Sequence, residues 1–157
     1  LSASPEATAT RYTADMVLFT ERGGVLMVLL IDRRWDPYQG KAALPGGHRD
    51  PGESDERAAR RECREETGID APQELIQVGV YNERGRDPRG DYSTTAFSAV
   101  LPDAPDPVPD SDAEAAAWRP VHEVLEGDRL AFDHRRILTD AVAAQRHNIA
   151  ALLNIQH

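Results

Sequence analysis

The sequence predicts an α/β fold in which a mixed β-sheet is sandwiched between helices. Three observations predict it. Short apolar runs bounded by turn residues lie both before and after a charged helical run, and a second stretch of helical spacing closes the chain. No internal repeat interrupts this order.

Residues 16–20 and 25–31 are apolar runs joined by Glu21-Arg22-Gly23-Gly24, the signature of a hairpin between buried strands. Residues 33–41, with Trp35, Asp36-Pro37 and Gly40, form a loop leading to Ala42, Ala43 and Leu44 and then to Pro45-Gly46-Gly47. The helix that follows spans 54–67. Ser54 caps its start, Asp55 and Glu56 suit its positive first turn, and Gly68 suits the left-handed residue that ends it. Residues 75–81 and 92–101 read as two further strands around a polar loop at 82–91. The proline- and aspartate-rich stretch 102–112 is expected to be an irregular, mobile connection. A last strand over 116–121 surrounds Trp118, and a turn passes through Gly127. Ile137, Leu138, Ala141, Val142 and Ala144 give 132–151 the spacing of one C-terminal helix that covers the sheet.

The chain has 157 residues, of which 40% are hydrophobic, enough for one domain over 1–157 with a real core; residues 1–11 are expected to be a flexible arm. Its 18 basic and 27 acidic residues give a net charge of −9, which argues against a nucleic-acid backbone or an anionic membrane as partner. A small nucleotide remains compatible if metal ions supply the local positive field. A single cysteine forms no internal disulfide, the first residues lack a signal-peptide pattern, and no apolar run is long enough to span a bilayer. A reducing, cytoplasmic setting is the expectation.

On a helical wheel Glu62, Glu65 and Glu66 share an arc of about 100°, while Arg57, Arg60 and Arg64 crowd a second side and Ala59 and Cys63 a third. A solvated helix laced with ion pairs would use the same residue types. Glu62 and Glu66, four residues apart, repel one another, however, and a bound cation resolves that repulsion. Oxygen ligands favour a hard ion, Mg²⁺ first and Mn²⁺ as substitute. One cysteine and scattered histidines give no zinc spacing.

The run from Gly47 to Ile69 reads glycine, five residues, glutamate, seven residues, Arg-Glu, Cys63, one residue, Glu-Glu, one residue, Gly68, Ile69. With Gly47, Glu53, Arg61, Glu62, Glu65, Glu66 and Gly68 all in place, it resembles the Nudix box of the Nudix hydrolases. Cys63 stands where that family usually has an aliphatic residue. The resemblance extends from about residue 16 to 138 and implies an α/β/α sandwich with a mixed sheet. It also implies metal-dependent hydrolysis of a pyrophosphate in a nucleoside diphosphate linked to another group. Glu65, Glu66 and the Gly46 carbonyl are then metal ligands, Glu62 is a ligand or a base acting on water, and Arg61 pairs with Glu53 to orient helix and loop. Asp112 falls where some members place a further metal-binding or basic carboxylate.

Residues 81–90 and 130–137 resemble segments of ADP-ribose pyrophosphatases and of related domains that sense ADP-ribose. On that resemblance Arg86 and Arg89 grip phosphate or ribose oxygens, Asp133 accepts hydrogen bonds from a base, and Arg34 joins them in binding substrate. His48 follows the glycine pair and His134 adjoins Asp133, which makes each a candidate for touching substrate, and Trp35 and Tyr38 are candidates for stacking on a base. Arg84-Gly85 stands where the ADP-ribose subgroup commonly has a proline, which leaves (deoxy)nucleoside triphosphates as an alternative substrate. A non-catalytic ADP-ribose sensor is the other alternative. The resemblance also allows a homodimer through the N-terminal strands.

Overall fold

The computed structural model describes residues 9–108 and 115–154. In chain order the elements are β1 (Arg11–Arg22), β2 (Val25–Asp32), β3 (Ala42–Ala43), β4 (Gly46–His48), α1 (Asp55–Thr67), β5 (Ile76–Tyr81), β6 (Tyr92–Val100), β7 (Ala115–Pro120), α2 (Val121–Glu126), α3 (His134–Ala144) and α4 (Arg146–Asn154).

The expected hairpin is present, with Arg22 paired to Val25 across Gly23 and Gly24, both at positive φ. β1 is longer than its apolar run because its polar N-terminal half has partners on both sides. It runs parallel to β6 from Arg11↔Tyr92 to Phe19↔Val100, and antiparallel to β4 through Thr13↔His48, Ala14↔Gly47 and Asp15↔Gly46. Among the described residues the sheet has seven strands, in the order β3-β2-β1-β6-β5, with β4 on β1 and β7 on β2.

Alternation along β1 divides the core between the two faces. Ala14, Met16 and Leu18 pack with Ala58, Ala59 and Cys63 of α1, whereas Val17 and Phe19 pack with Ile137, Leu138 and Ala141 of α3 and Ile149 of α4. The result is an α/β/α sandwich around a mixed sheet. Small residues on the buried face of α1 bring that helix close to the sheet, so its acidic edge borders β4. Burial pushes the Cys63 thiol up to about 12, which makes it an inert packing group.

Three local expectations change. The single helix expected over 132–151 is two helices, broken at Gln145. The Gln145 side chain is buried, donating to Ser98 Oγ at 3.1 Å and accepting from Asn148 Nδ2 at 2.8 Å, and it turns the chain out of helical register. A short helix, α2, precedes Gly127 where only a turn was expected, and it takes up the buried Val121 that was expected to end the last strand. The described part of the 102–112 connection is tied down: Pro105 O accepts from Trp118 Nε1, Asp106 pairs with Arg22, and Val108 N–H bonds Thr67 O at 2.7 Å. The expected arm falls outside the described residues up to residue 8, and Arg11 already lies in β1. No helix among the described residues is long and apolar enough to cross a membrane.

Candidate active site

The caps of α1 are those the sequence predicts. Ser54 accepts from the Arg57 N–H, and Gly68, at φ 73°, bonds back to Arg64 O. Midway along it, Arg61 joins the helix to the loop before it. It donates to Glu53 at 2.8 and 3.0 Å, to the His48 carbonyl at 2.9 Å and to Glu65 at 3.2 Å. Hydrogen bonding from Arg61, then the Asp50 N–H, holds the Glu53 carboxyl down at about 2.

Two glycines let the sheet approach the acidic edge of α1. A Cβ on Gly47 would overlap the Glu62 carboxylate, and one on Gly46 would overlap the Asp15 carboxylate and the Ala14 carbonyl. The Gly46 N–H instead donates to Glu66 Oε1 at 2.8 Å. Burial raises Glu66 to about 8, with Glu62 and Asp15 adding to the effect against the Gly46 hydrogen bond. Burial likewise raises Glu62 to about 7, where Arg61 opposes and Glu65 reinforces the shift.

These groups line a cleft of about 300 Å³. Its lining also includes Arg33, Arg86, Asp87, Arg89, Phe132 and His134. Arg86, its side chain only 5% exposed, makes a two-pronged bond to Asp133 at 2.9 and 2.6 Å. Burial works against the Arg86 charge, but Asp133 outweighs it and raises the pKa. Arg89 is held by buried Asp87 at 3.0 and 2.7 Å and lies over the rings of Tyr92 and Phe132 at 4.6 and 5.7 Å. Arg33 gives Nε to the Pro37 carbonyl at 2.7 Å and lies 4.8 Å from the Phe132 ring centre. Burial, then the Arg89 charge, lowers its pKa, so an anion entering here meets a cation whose charge is costly to hold.

The cleft therefore brings together Gly46, Glu62, Glu66, Arg61, Arg86 and Arg89 of the sequence-predicted set. Glu65 is not among the lining residues; it is 48% exposed and bound to Arg61, and Glu53 likewise reaches the cleft only through Arg61. Arg34 is exposed and outside the cleft lining, and its neighbour Arg33 lines it instead. The Asp133 carboxylate, expected to face a base, is occupied by Arg86. Asp112 lies outside the described residues. His48 lines the cleft with Nε2 3.4 Å from the Tyr92 hydroxyl. His134 is 4% exposed, and its Nδ1 accepts the Leu44 N–H at 3.0 Å, so the neutral ring carries its proton on Nε2. Trp35 is 61% exposed, and Tyr38 packs edge-on to Phe132.

Asp15, Arg33, Asp87 and Phe132 are cleft residues that sequence reasoning missed. Asp15 left a signal: a lone carboxylate directly before the apolar run of β1, where burial requires partners, and Thr94 supplies one at 2.7 Å. Phe132 left none, since its φ of 53° belongs to the folded backbone alone.

Among the described residues, no three aspartates, glutamates, histidines or cysteines gather as a ready-made cation cage. The donors nonetheless suit a hard dication. Glu62 and Glu66 offer oxygen only, repel one another and are driven toward protonation by burial, a penalty that a divalent ion reverses.

The chain is similar to several known proteins. An ADP-ribose pyrophosphatase from Methanocaldococcus jannaschii is 37% identical over 113 residues, 72% of this chain and 64% of that one. An ADPR responsive transcriptional repressor, NtrR, from Acinetobacter baylyi is 37% identical over 134 residues, 83% of this chain and 52% of that one. The chain thus spans less than two thirds of the length of either curated relative. The crystallised NUDIX domain of Shewanella oneidensis NrtR, complexed with ADP ribose, superposes with a TM-score of 0.80 at 31% identity, covering 92% of this chain and 94% of that one. The NUDIX domain family model matches residues 9–141, most of the chain, and the protein belongs to that family.

Proposed function

We propose that the protein hydrolyses the pyrophosphate linkage of ADP-ribose, or of a similar compound in which a nucleoside diphosphate carries another group, with Mg²⁺ or Mn²⁺ as cofactor. The observation that carries this reading is that one cleft is lined both by the carboxylates of Glu62 and Glu66 and by the guanidinium groups of Arg33, Arg86 and Arg89. A pyrophosphate bound there would meet those guanidinium groups and, with a divalent ion on the carboxylates, a metal cation as well. The choice of ADP-ribose is supported by the Methanocaldococcus relative and by the ligand of the Shewanella domain.

Glu65, Glu66 and the Gly46 carbonyl hold the cation in this account, with Glu62 as a further ligand or as the base that takes a proton from water. The bound ion would neutralise phosphate charge and acidify the attacking water. Arg61 and Glu53 fix α1 against the loop that leads into it. Arg89, braced by Asp87 and by two aromatic faces, presents a rigid guanidinium to phosphate oxygens. Asp112 stands as a second candidate base.

Arg33→Ala is expected to raise KM for ADP-ribose about tenfold, the scale of one charge-assisted hydrogen bond, with a smaller change in kcat. Steady-state kinetics reads this directly, and an unchanged KM removes Arg33 from the substrate site.

A second reading has its own support, because one relative is named as an ADPR responsive transcriptional repressor and another domain is crystallised in complex with ADP ribose. In that reading the chain binds ADP-ribose without cutting it. Phosphatase-coupled phosphate release separates the readings, using ADP-ribose, NADH, nucleotide sugars and deoxynucleoside triphosphates with Mg²⁺, Mn²⁺ or EDTA. Metal-dependent cleavage of ADP-ribose above the rest supports the hydrolase. Preference for a triphosphate moves the substrate class, and ligand binding with no cleavage favours the sensor.

A further inference from the structure

One dipeptide at the start of α3, Asp133-His134, contacts two parts of the cleft. Asp133 clamps Arg86, 47 residues away in sequence. His134 reaches the other way, accepting the Leu44 N–H on Nδ1 at 3.0 Å and turning Nε2 toward Asp15 Oδ2 at 3.9 Å. Asp15 is buried, accepts from Thr94 Oγ1 at 2.7 Å and pairs with Gly46 across the β1–β4 ladder. Its carboxylate lies so close over Gly46 that no Cβ would fit between them. Pro45 in turn accepts the Met16 N–H at 2.9 Å. Leu44, Pro45 and Gly46 are thus gripped on both sides by residues outside the acidic helix, and Gly46 passes that position on to Glu66 through its N–H.

We propose that His134 and Asp15 are positioning residues that set where the 44–46 segment presents the Gly46 carbonyl and Glu66, while Asp133 separately sets Arg86. One turn of α3 then fixes the spacing between the cation-holding residues and the substrate-holding Arg86. Neither His134 nor Asp15 needs to touch the reacting atoms. The inference rests in part on the hydrolase reading, since it takes Gly46 and Glu66 as cation ligands.

Three variants separate the two arms. His134→Asn keeps an acceptor near the Nδ1 position and so retains the Leu44 bond. His134→Gln extends toward Asp15 but leaves the Leu44 N–H unpaired in the core. Asp133→Asn weakens the clamp on Arg86. Mn²⁺ binding is titrated by electron paramagnetic resonance on substrate-free protein, alongside kcat and KM for ADP-ribose. His134→Gln is expected to weaken Mn²⁺ binding about tenfold and lower kcat with KM unchanged, the scale at which groups behind metal ligands act. His134→Asn should recover much of the Mn²⁺ binding lost in His134→Gln, and Asp133→Asn should raise KM without changing Mn²⁺ binding. Wild-type Mn²⁺ affinity in His134→Gln, or equal impairment of the Asn and Gln variants, overturns the proposal. The Mn²⁺ titration needs no turnover. A wild-type protein that binds Mn²⁺ without cleaving ADP-ribose overturns the hydrolase reading and leaves this inference to be decided by His134→Gln. A wild-type protein that takes up no Mn²⁺ overturns both.

Discussion

Glu66→Gln is expected to reduce turnover at least about a hundredfold, beyond the 10- to 100-fold typical of changes behind a metal site, while leaving the fold intact. The amide keeps the size of the carboxylate and an oxygen that can accept the Gly46 N–H, so the contact between α1 and β4 survives. It removes the charge. That charge is held at a cost, since burial has pushed the group up to about 8, and without a cation the neutral amide relieves the cost. The metal-free variant should therefore melt no earlier than the metal-free wild type. Its rise in Tm on adding Mg²⁺ should largely disappear, because ligand-induced stabilisation follows affinity. Kinetics and thermal melts with Mg²⁺ or EDTA test both halves, and normal metal-dependent turnover in Glu66→Gln would remove this residue from the cation site.

Arg61→Ala should be the most damaging change outside the ligands, lowering both activity and stability. It removes hydrogen bonds to Glu53, Glu65 and the His48 carbonyl together, and frees the loop 48–53 from the helix. A loss of activity of about a hundredfold is expected, the upper range for a group that orients ligands without binding the ion. The acid side of the stability curve should change as well. Glu53 is depressed to about 2 from an ordinary 4.5, so its pairing contributes stability above the ordinary value and loses it as pH falls toward 2. With Arg61 gone, that part of the acid dependence flattens. Urea melts at pH 7 and pH 3 should show a smaller difference for Arg61→Ala than for wild type, and an unchanged difference would show that the pair does not carry the effect.

What the sequence made legible was local. The hairpin, the Ser54 and Gly68 caps and the acidic edge of α1 each depend on neighbours within a few residues, and all are present. What it hid depends on distant partners. Gln145 breaks a well-patterned helix because Ser98 awaits it 47 residues back, and Asp133 serves Arg86 across the same separation rather than a base. The choice between Arg33 and Arg34 turns on the two-residue alternation at the end of β2, where a shift of one position exchanges cleft for solvent. Asp87 and Phe132 enter the cleft only through the packing of two loops against Arg89 and Arg33.

The proposed reaction is cleavage of a pyrophosphate in this cleft with the help of a divalent ion. Its most direct test is to incubate the wild-type protein with ADP-ribose, in Mg²⁺ and in EDTA, and to separate the products. AMP and ribose 5-phosphate are expected in equal amounts with Mg²⁺ and neither in EDTA. Intact ADP-ribose recovered from a metal-saturated protein that demonstrably binds it would rule the reaction out.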